Sequence, residues 1–155
     1  MEKTDQTDAF WQNVMSKVTG GVDDYWVRRI GGDPETVNII LDLILKGEKT
    51  GTFGVKMLQE RQPEITPTLN GTAVLVDFGG TPHAAVTTTQ LTPVAYKDIS
   101  EEHHLGVEGP GARKLDVWKS IHWPYWTRLL EPHGLTPRED MTIMVENFEL
   151  IYPTA

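Results

Sequence analysis

Residues 41–52, Leu-Asp-Leu-Ile-Leu-Lys-Gly-Glu-Lys-Thr-Gly-Thr, run from an apolar helical pattern into a segment of lysine, glycine and threonine. Upstream, Asp33-Pro34-Glu35 supplies an N-cap residue, a proline at the first helical position and an acid in the first turn. Apolar residues then recur at helical spacing until Leu45, and Gly47 ends the pattern. The sequence therefore predicts a helix over residues 34–45 that leads directly into a segment with chemically useful side chains.

Outward from this helix, the chain shows a mixed set of elements. Helical spacing recurs near residues 10–18 and 115–129. Strand patterns cover residues 72–78, 83–91 and 141–152. Because helices, a hairpin, a helix and a closing strand follow one another, the order argues against βαβ repeats. It predicts an α+β domain with a small, largely antiparallel sheet or barrel.

Length and composition bear on the number of domains and on the expected location of the protein in the cell. The 155 residues, 39% of them hydrophobic, fit a single globular domain. The chain has no cysteine, which excludes disulfides, thiolate metal sites and cysteine nucleophiles. We expect a cytoplasmic protein without a membrane span, because no signal-peptide pattern opens the chain and its longest apolar stretch is short.

The net charge bears on nucleic-acid binding. Fourteen Lys and Arg against 22 Asp and Glu give a formal charge of −8. Binding to long duplex DNA depends mainly on neutralised phosphates, so we expect no duplex DNA partner. A local basic cleft can still hold one nucleotide or a short single strand, because only the field at the site acts on such a ligand.

Lys49 and Thr52 are the first candidate pair for chemistry. A desolvated lysine has a lowered pKa, and its neutral amine can take a proton from a nearby hydroxyl. The glycines around this pair would let the backbone approach a ligand closely. The same pattern also fits a C-capping glycine followed by an exposed lysine, and the GxxxxGKT phosphate loop is absent.

Glu108 is the second candidate, in the sequence Glu-Gly-Pro-Gly of residues 108–111. A loop bent by two glycines and a proline can project an acid into a cleft, where it acts as a general base or holds an amino group. A solvated turn acid is the alternative interpretation of the same four residues.

His122 is the third candidate, because Trp118 and Trp126 lie one helical turn on either side of it. This spacing fits a ring stack for a nucleobase with a histidine at its edge, and it equally fits an aromatic core with one hydrogen-bonded histidine. The adjacent pair His103 and His104 lacks the spacing of a metal-binding helix, so we expect no metal site there.

Three separated blocks of this sequence resemble the ASCH domain family. Residues 41–52 resemble its signature helix and GxKxxT motif, and residues 107–123 resemble its EGEGD–SLxxWxxxH block. Residues 139–149 are similar to its last strand. The resemblance implies a PUA-like fold, a small β-barrel flanked by helices, as a single domain over residues 1–155. An N-terminal helical extension would cover about 8–32 and the core about 33–153.

The resemblance also implies a cleft that binds RNA or a nucleotide. Carried over by motif, the catalytic residues would be Lys49 as base, Thr52 as nucleophile or its anchor, and Glu108 as acid–base partner. Ribonuclease-type hydrolysis of short single-stranded RNA or a nucleotide is the leading interpretation. Amide hydrolysis of a modified nucleoside such as N4-acetylcytidine, and RNA binding without catalysis, are the alternatives.

The second block departs from the family pattern. It reads Glu-Gly-Pro-Gly-Ala-Arg-Lys at residues 108–114, so an acid and a serine are lost and two basic residues appear. The change favours a phosphate-bearing ligand over a glutamate-bound metal, although the resemblance still allows a divalent cation, Mn²⁺ or Mg²⁺, as cofactor. We expect ligand contacts from five further residues, which are Thr50, Lys56, Arg113, Trp118 and His122.

Overall fold

Four helices and five strands make up the described part of the chain, residues 1–18 and 23–154 of the computed structural model. In chain order they are α1 (Asp5–Lys17), β1 (Trp26–Arg28), α2 (Pro34–Leu45), β2 (Gly51–Val55), α3 (Lys56–Gln59), β3 (Thr72–Val76), β4 (Pro82–Ala95), α4 (Leu115–Leu130) and β5 (Thr142–Tyr152). Short 3₁₀ turns, among them Leu105–Val107 and Pro110–Ala112, occupy the segment before α4.

Local sequence signals explain the limits of α2. The carboxylate of Asp33 accepts a hydrogen bond from the N–H of Thr36 at 2.9 Å and so caps the first turn. At the other end, Gly47 has a φ of +75°, a left-handed conformation that terminates helices and that glycine adopts without strain. The helix predicted over residues 34–45 is confirmed at both ends.

The five strands form one mixed sheet in the order β1-β3-β4-β5-β2. β1 runs parallel to β3, and the remaining pairs are antiparallel. The sheet must curl, because Arg28 of β1 reaches Glu146 of β5 at 2.8 Å. In a flat sheet these strands would lie about 14 Å apart, three strand spacings. The expectation of an α+β fold with a small barrel-like sheet flanked by helices is confirmed, as a half-barrel.

Helices cover the sheet and bury its apolar residues in three clusters. α4 packs on β2 and β5, where Trp118, Leu130 and Ile143 are fully buried. α2 packs on β3 and β4 through Val37 and Ile44, while α1 packs through Val14 on the same two strands. α2 and α4 therefore pack against different strands of the sheet.

The predicted N-terminal extension includes residues 19–22, which lie outside the described residues. Within the same extension, Trp26–Arg28 pairs with β3 as an edge strand of the sheet. The division into extension and core stays a prediction. Over residues 1–18 and 23–154, no helix combines the length and the apolar character needed to cross a membrane.

Candidate functional site

Lys49 and Glu108, 59 residues apart in the chain, form a buried ion pair. The ammonium group of Lys49 donates a hydrogen bond to Oε1 of Glu108, and each residue is only 5% exposed. A charge buried without a partner is strongly unfavourable, so each group depends on the other for its place in the interior. This pair is the floor of the candidate site.

Backbone and side-chain hydrogen bonds bring the two segments together. The N–H of Thr50 donates to the carbonyl of Val107 at 2.8 Å, which sets the start of β2 against the loop that carries Glu108. Arg113 spans both segments, because its Nε donates to the carbonyl of Glu108 at 2.7 Å and its Nη2 to the carbonyl of Glu48 at 2.8 Å. Arg113 therefore links the two segments that carry Lys49 and Glu108.

A cleft of about 990 Å³ opens beside this floor. Lys49, Thr52 and Glu108 all line it, so the three predicted catalytic residues share one cavity. The edge strands β1 and β2 both contribute residues, and they do not pair with each other in the described sheet. The cleft thus occupies the seam where the half-barrel stays open, between α2 and α4.

His122 lies at the edge of the floor and lines the cleft. Its Nδ1–H donates to the carbonyl of Trp118 at 2.8 Å, which leaves Nε2 as an acceptor 3.7 Å from Oε2 of Glu108. Its ring stacks on that of Trp118 with centroids 4.6 Å apart. Burial lowers the pKa of His122, against the opposing effect of the Glu108 carboxylate. At neutral pH, His122 therefore presents an unprotonated ring nitrogen.

Burial also lowers the pKa of Lys49. The charge of Glu108 and the hydrogen bond to its carboxylate oppose this change without reversing it. A lysine with a lowered pKa releases its proton nearer to neutral pH, as a general base requires. Burial thus shifts the pKa of Lys49 in the direction expected for a base, and its catalytic role stays a prediction.

A second buried ion pair lies beside the first. The Nη2 and Nη1 atoms of Arg28 donate to the two carboxylate oxygens of Glu146 at 2.8 and 3.0 Å, and the hydroxyl of Thr88 donates to Oε2 at 2.8 Å. Arg28 lines the same cleft as Lys49 and Glu108, and Glu146 is paired with Thr52 between β5 and β2, so the two pairs lie close together. No local sequence pattern indicates this pair, because its partners are 118 residues apart.

The remaining predicted ligand residues lie outside the cleft. Trp118 is fully buried beneath His122, so it supports the histidine instead of contacting a ligand. Lys56 lines a separate shallow depression with Glu60 and Arg138. Thr50 is exposed and acts here through its backbone. Sequence reasoning missed Trp26, Arg28 and Arg29, which do line the cleft.

The donor set of the cleft does not fit a divalent cation. Within residues 1–18 and 23–154, no three His, Asp or Glu side chains converge as metal ligands would. The carboxylate of Glu108 lies against the Lys49 ammonium, and that of Glu146 is held by Arg28. Mg²⁺ and Mn²⁺ prefer several oxygen ligands, and a neighbouring ammonium repels them.

Comparison with known proteins identifies the family. The ASCH domain model matches residues 27–152. The crystal structure of an ASCH domain from Lactobacillus crispatus JV V101 has a TM-score of 0.87 at 23% identity, over 97% of this chain and 96% of that one. Protein EF3133 from Enterococcus faecalis V583 has a TM-score of 0.78 at 25% identity, over 95% and 90% of the two chains. No curated protein sequence matches significantly. Since the family match covers most of its length, this chain belongs to the ASCH domain family.

Proposed function

We propose that this protein binds a nucleotide, or the end of a short single-stranded RNA, in the cleft and hydrolyses an amide bond on its base. One observation carries the proposal: Lys49, Thr52 and Glu108 line one cavity, with the lysine and the glutamate buried and paired. A lysine whose pKa is lowered by burial can take the proton of a hydroxyl nucleophile that shares its cavity.

The walls of the cleft suit a planar ring. Trp26 and Tyr125 are half-buried aromatic residues that line it, and Ile40 and Leu43 of α2 add apolar surface. Aromatic faces bind unstacked nucleobases with little dependence on sequence. Because the protein carries a net charge of −8, this binding mode fits a short ligand better than long RNA.

The proposed reaction uses side chains alone. The reacting form is the one in which the Lys49 ammonium has released its proton to solvent, a form that burial of the amine favours. In that form Thr52 Oγ1 attacks the acyl carbon while its proton passes to the amine of Lys49. The C–N bond then breaks, and the exocyclic nitrogen leaves with the proton from Lys49. Water attacks the threonyl ester with Lys49 again taking the proton, and the carboxylic acid leaves as Thr52 Oγ1 is reprotonated. Glu108 orients Lys49 through the hydrogen bond that joins them.

Ribonuclease activity is a second candidate, favoured by the unprotonated Nε2 of His122 near Glu108. Such a nitrogen can accept the proton of a ribose 2′-hydroxyl. Three cations were expected to hold the scissile phosphate, Lys49, Lys56 and Arg113. Only Lys49 of these lines the cleft, and it is already paired with Glu108, which favours amide hydrolysis. A location in the cytoplasm stays a prediction for either activity.

An assay of the purified protein in EDTA measures the release of cytidine from N4-acetylcytidine and of cytidine monophosphate from its 5′-monophosphate. A parallel assay measures the cleavage of single-stranded RNA in the presence of Mn²⁺. We expect cytidine or cytidine monophosphate from the wild type, and at least a hundredfold lower rate from Thr52→Val. Thr92→Val, which removes a half-buried threonine of β4 outside the cleft, should keep the wild-type rate. Cleavage of RNA alone would establish the ribonuclease instead, and binding without turnover would establish a binding module.

A further inference from the structure

Two exposed arginines line the cleft from different elements. Arg29 follows β1 directly, and Arg128 lies in the last turn of α4. Over residues 1–18 and 23–154, neither forms an ion pair with a carboxylate, whereas Arg28 and Lys49 of the same cleft are both engaged in buried pairs. Arg29 and Arg128 are therefore the cations of the cleft that remain available to an anionic ligand.

Arg29 is held in place by Phe78. Its guanidinium group lies 4.2 Å from the centroid of that ring, and its Nη1 donates to the Phe78 carbonyl at 3.3 Å. Stacking on one face leaves the planar edge of the guanidinium with further donors. An arginine positioned in this way loses little conformational freedom when it binds an oxyanion.

Tyr125 lines the cleft together with the two arginines. Burial raises the pKa of its hydroxyl, and the charges of Arg128 and Arg29 both oppose that rise. Arg128 lies three residues after Tyr125 on α4, so the two share one face of that helix, and Arg29 lines the same cleft. The ring itself is fixed, because the backbone of Gly32 is so close that a Cβ there would lie 2.9 Å from Cε1 of Tyr125.

The acidic residue of this wall, Asp33, is already engaged. Its two carboxylate oxygens accept hydrogen bonds from the N–H and the hydroxyl of Thr36 at the N-terminus of α2. The positive end of the helix dipole offsets its charge, which reduces its repulsion of a bound anion.

Resting on the proposed function, we infer that Arg29, Arg128 and Tyr125 form a phosphate subsite at the mouth of the cleft. Guanidinium groups bind phosphate through paired, charge-assisted hydrogen bonds, and the phenol adds a neutral donor. The base then points towards Lys49 and Thr52 while the phosphate stays at the rim. The substrate class is therefore a nucleotide or an RNA terminus, and a free nucleoside is a poorer ligand.

Calorimetric titration of the full chain tests this subsite. The probes are the four ribonucleosides and their 5′- and 3′-monophosphates, at low and at moderate salt. We expect at least one monophosphate to bind about tenfold more tightly than its nucleoside, with a preference that declines as salt rises. The double variant Arg29→Gln/Arg128→Gln should lose this preference and keep the nucleoside affinity.

The matched control is Arg61→Gln/Arg138→Gln, which removes two exposed arginines outside the cleft and should retain the preference. Equal affinity for nucleosides and monophosphates would overturn the subsite and leave the proposed function standing. A preference that survives the loss of Arg29 and Arg128 would overturn it as well. Failure of every probe to bind would overturn the nucleotide function together with the subsite.

Discussion

Four charged side chains lie beneath one cleft, and none of them is more than 12% exposed. They are those of Lys49, Glu108, Arg28 and Glu146. Buried ion pairs are costly to assemble, since the loss of hydration offsets most of the attraction. Their presence beneath a cleft supports the chemical role proposed above for Lys49 and Glu108.

The first prediction concerns the loss of one partner of the floor pair. Lys49→Met leaves the Glu108 carboxylate buried without a cation, and we expect the free energy of unfolding to fall by about 3–5 kcal/mol. Glu108→Leu in the same chain should restore much of that loss, because no charge is then left buried. Urea denaturation at pH 7 measures both variants.

Lys46→Met is the control for this pair, because Lys46 and Asp42 form an ion pair that is 60% exposed at both side chains. Exposed pairs contribute little, so this variant should unfold almost like the wild type. Equal stability of Lys49→Met and Lys46→Met would show that the floor pair is hydrated.

The second prediction concerns His122 and acid. Burial lowers the pKa of His122 in the folded protein below its ordinary value of about 6.5. Below that pH the unfolded chain therefore binds a proton at His122 more readily than the folded chain does. Stability should fall as the pH drops from 7.5 to 5.5, and the fall should be smaller in His122→Asn. Chemical denaturation at both pH values measures it, with exposed His103→Asn as the control that keeps the wild-type slope. Identical slopes for His122→Asn and the wild type would contradict the assignment.

The sequence predicted the floor of the site but not its surroundings. Lys49, Thr52 and Glu108 follow from local motifs, and the structure places them in one cavity. Lys56 would share the face of Thr52 only if the strand continued, but β2 ends at Val55 and a helix begins. The buried pair of Arg28 and Glu146 depends on the curl of the sheet, which no local pattern encodes.

At the scale of elements, α2 was predictable and β2 was not. The helix carries a cap, a proline and an apolar stripe, which are local signals. β2 reads Gly-Thr-Phe-Gly-Val, and glycine is unfavourable in strands, so only its pairing with β5 makes it one. The long strands β4 and β5 provide the template that β2 joins.

The third prediction tests this close packing of β2. A Cβ on Gly51 would lie 2.1 Å from the carbonyl oxygen of Glu146 on β5, a contact that only a backbone shift can relieve. We expect Gly51→Ala to lower the free energy of unfolding by about 2–4 kcal/mol and to displace Thr52, with loss of activity. Gly106→Ala is the control, since a Cβ there meets nothing within 4 Å. A Gly51→Ala protein as stable and active as the control would refute this packing.

At the scale of the molecule, the half-barrel leaves a seam between β1 and β2, and the cleft occupies it. Arg28 crosses the curled sheet to Glu146 and so fixes the position of β1 relative to β5. Arg29 follows β1 directly and lines the mouth of the cleft. Positive charge is thereby concentrated at the cleft of a protein whose net charge is −8.

The fourth prediction concerns this crossing contact. Arg28→Met should destabilise the protein by about 3–5 kcal/mol and speed hydrogen exchange at the amides that join β1 to β3. Arg28→Lys keeps the charge without the two-pronged contact and should be intermediate. Unchanged exchange in Arg28→Met would show that the sheet holds its curl without the pair.

The most direct measurement is a crystal structure of Thr52→Val with N4-acetylcytidine 5′-monophosphate. We expect the base in the seam with its acyl group beside Lys49, and the phosphate on Arg29 and Arg128. A nucleotide bound on another surface, such as the depression around Lys56 and Arg138, with the seam empty, would contradict the assignment of this cleft as the functional site.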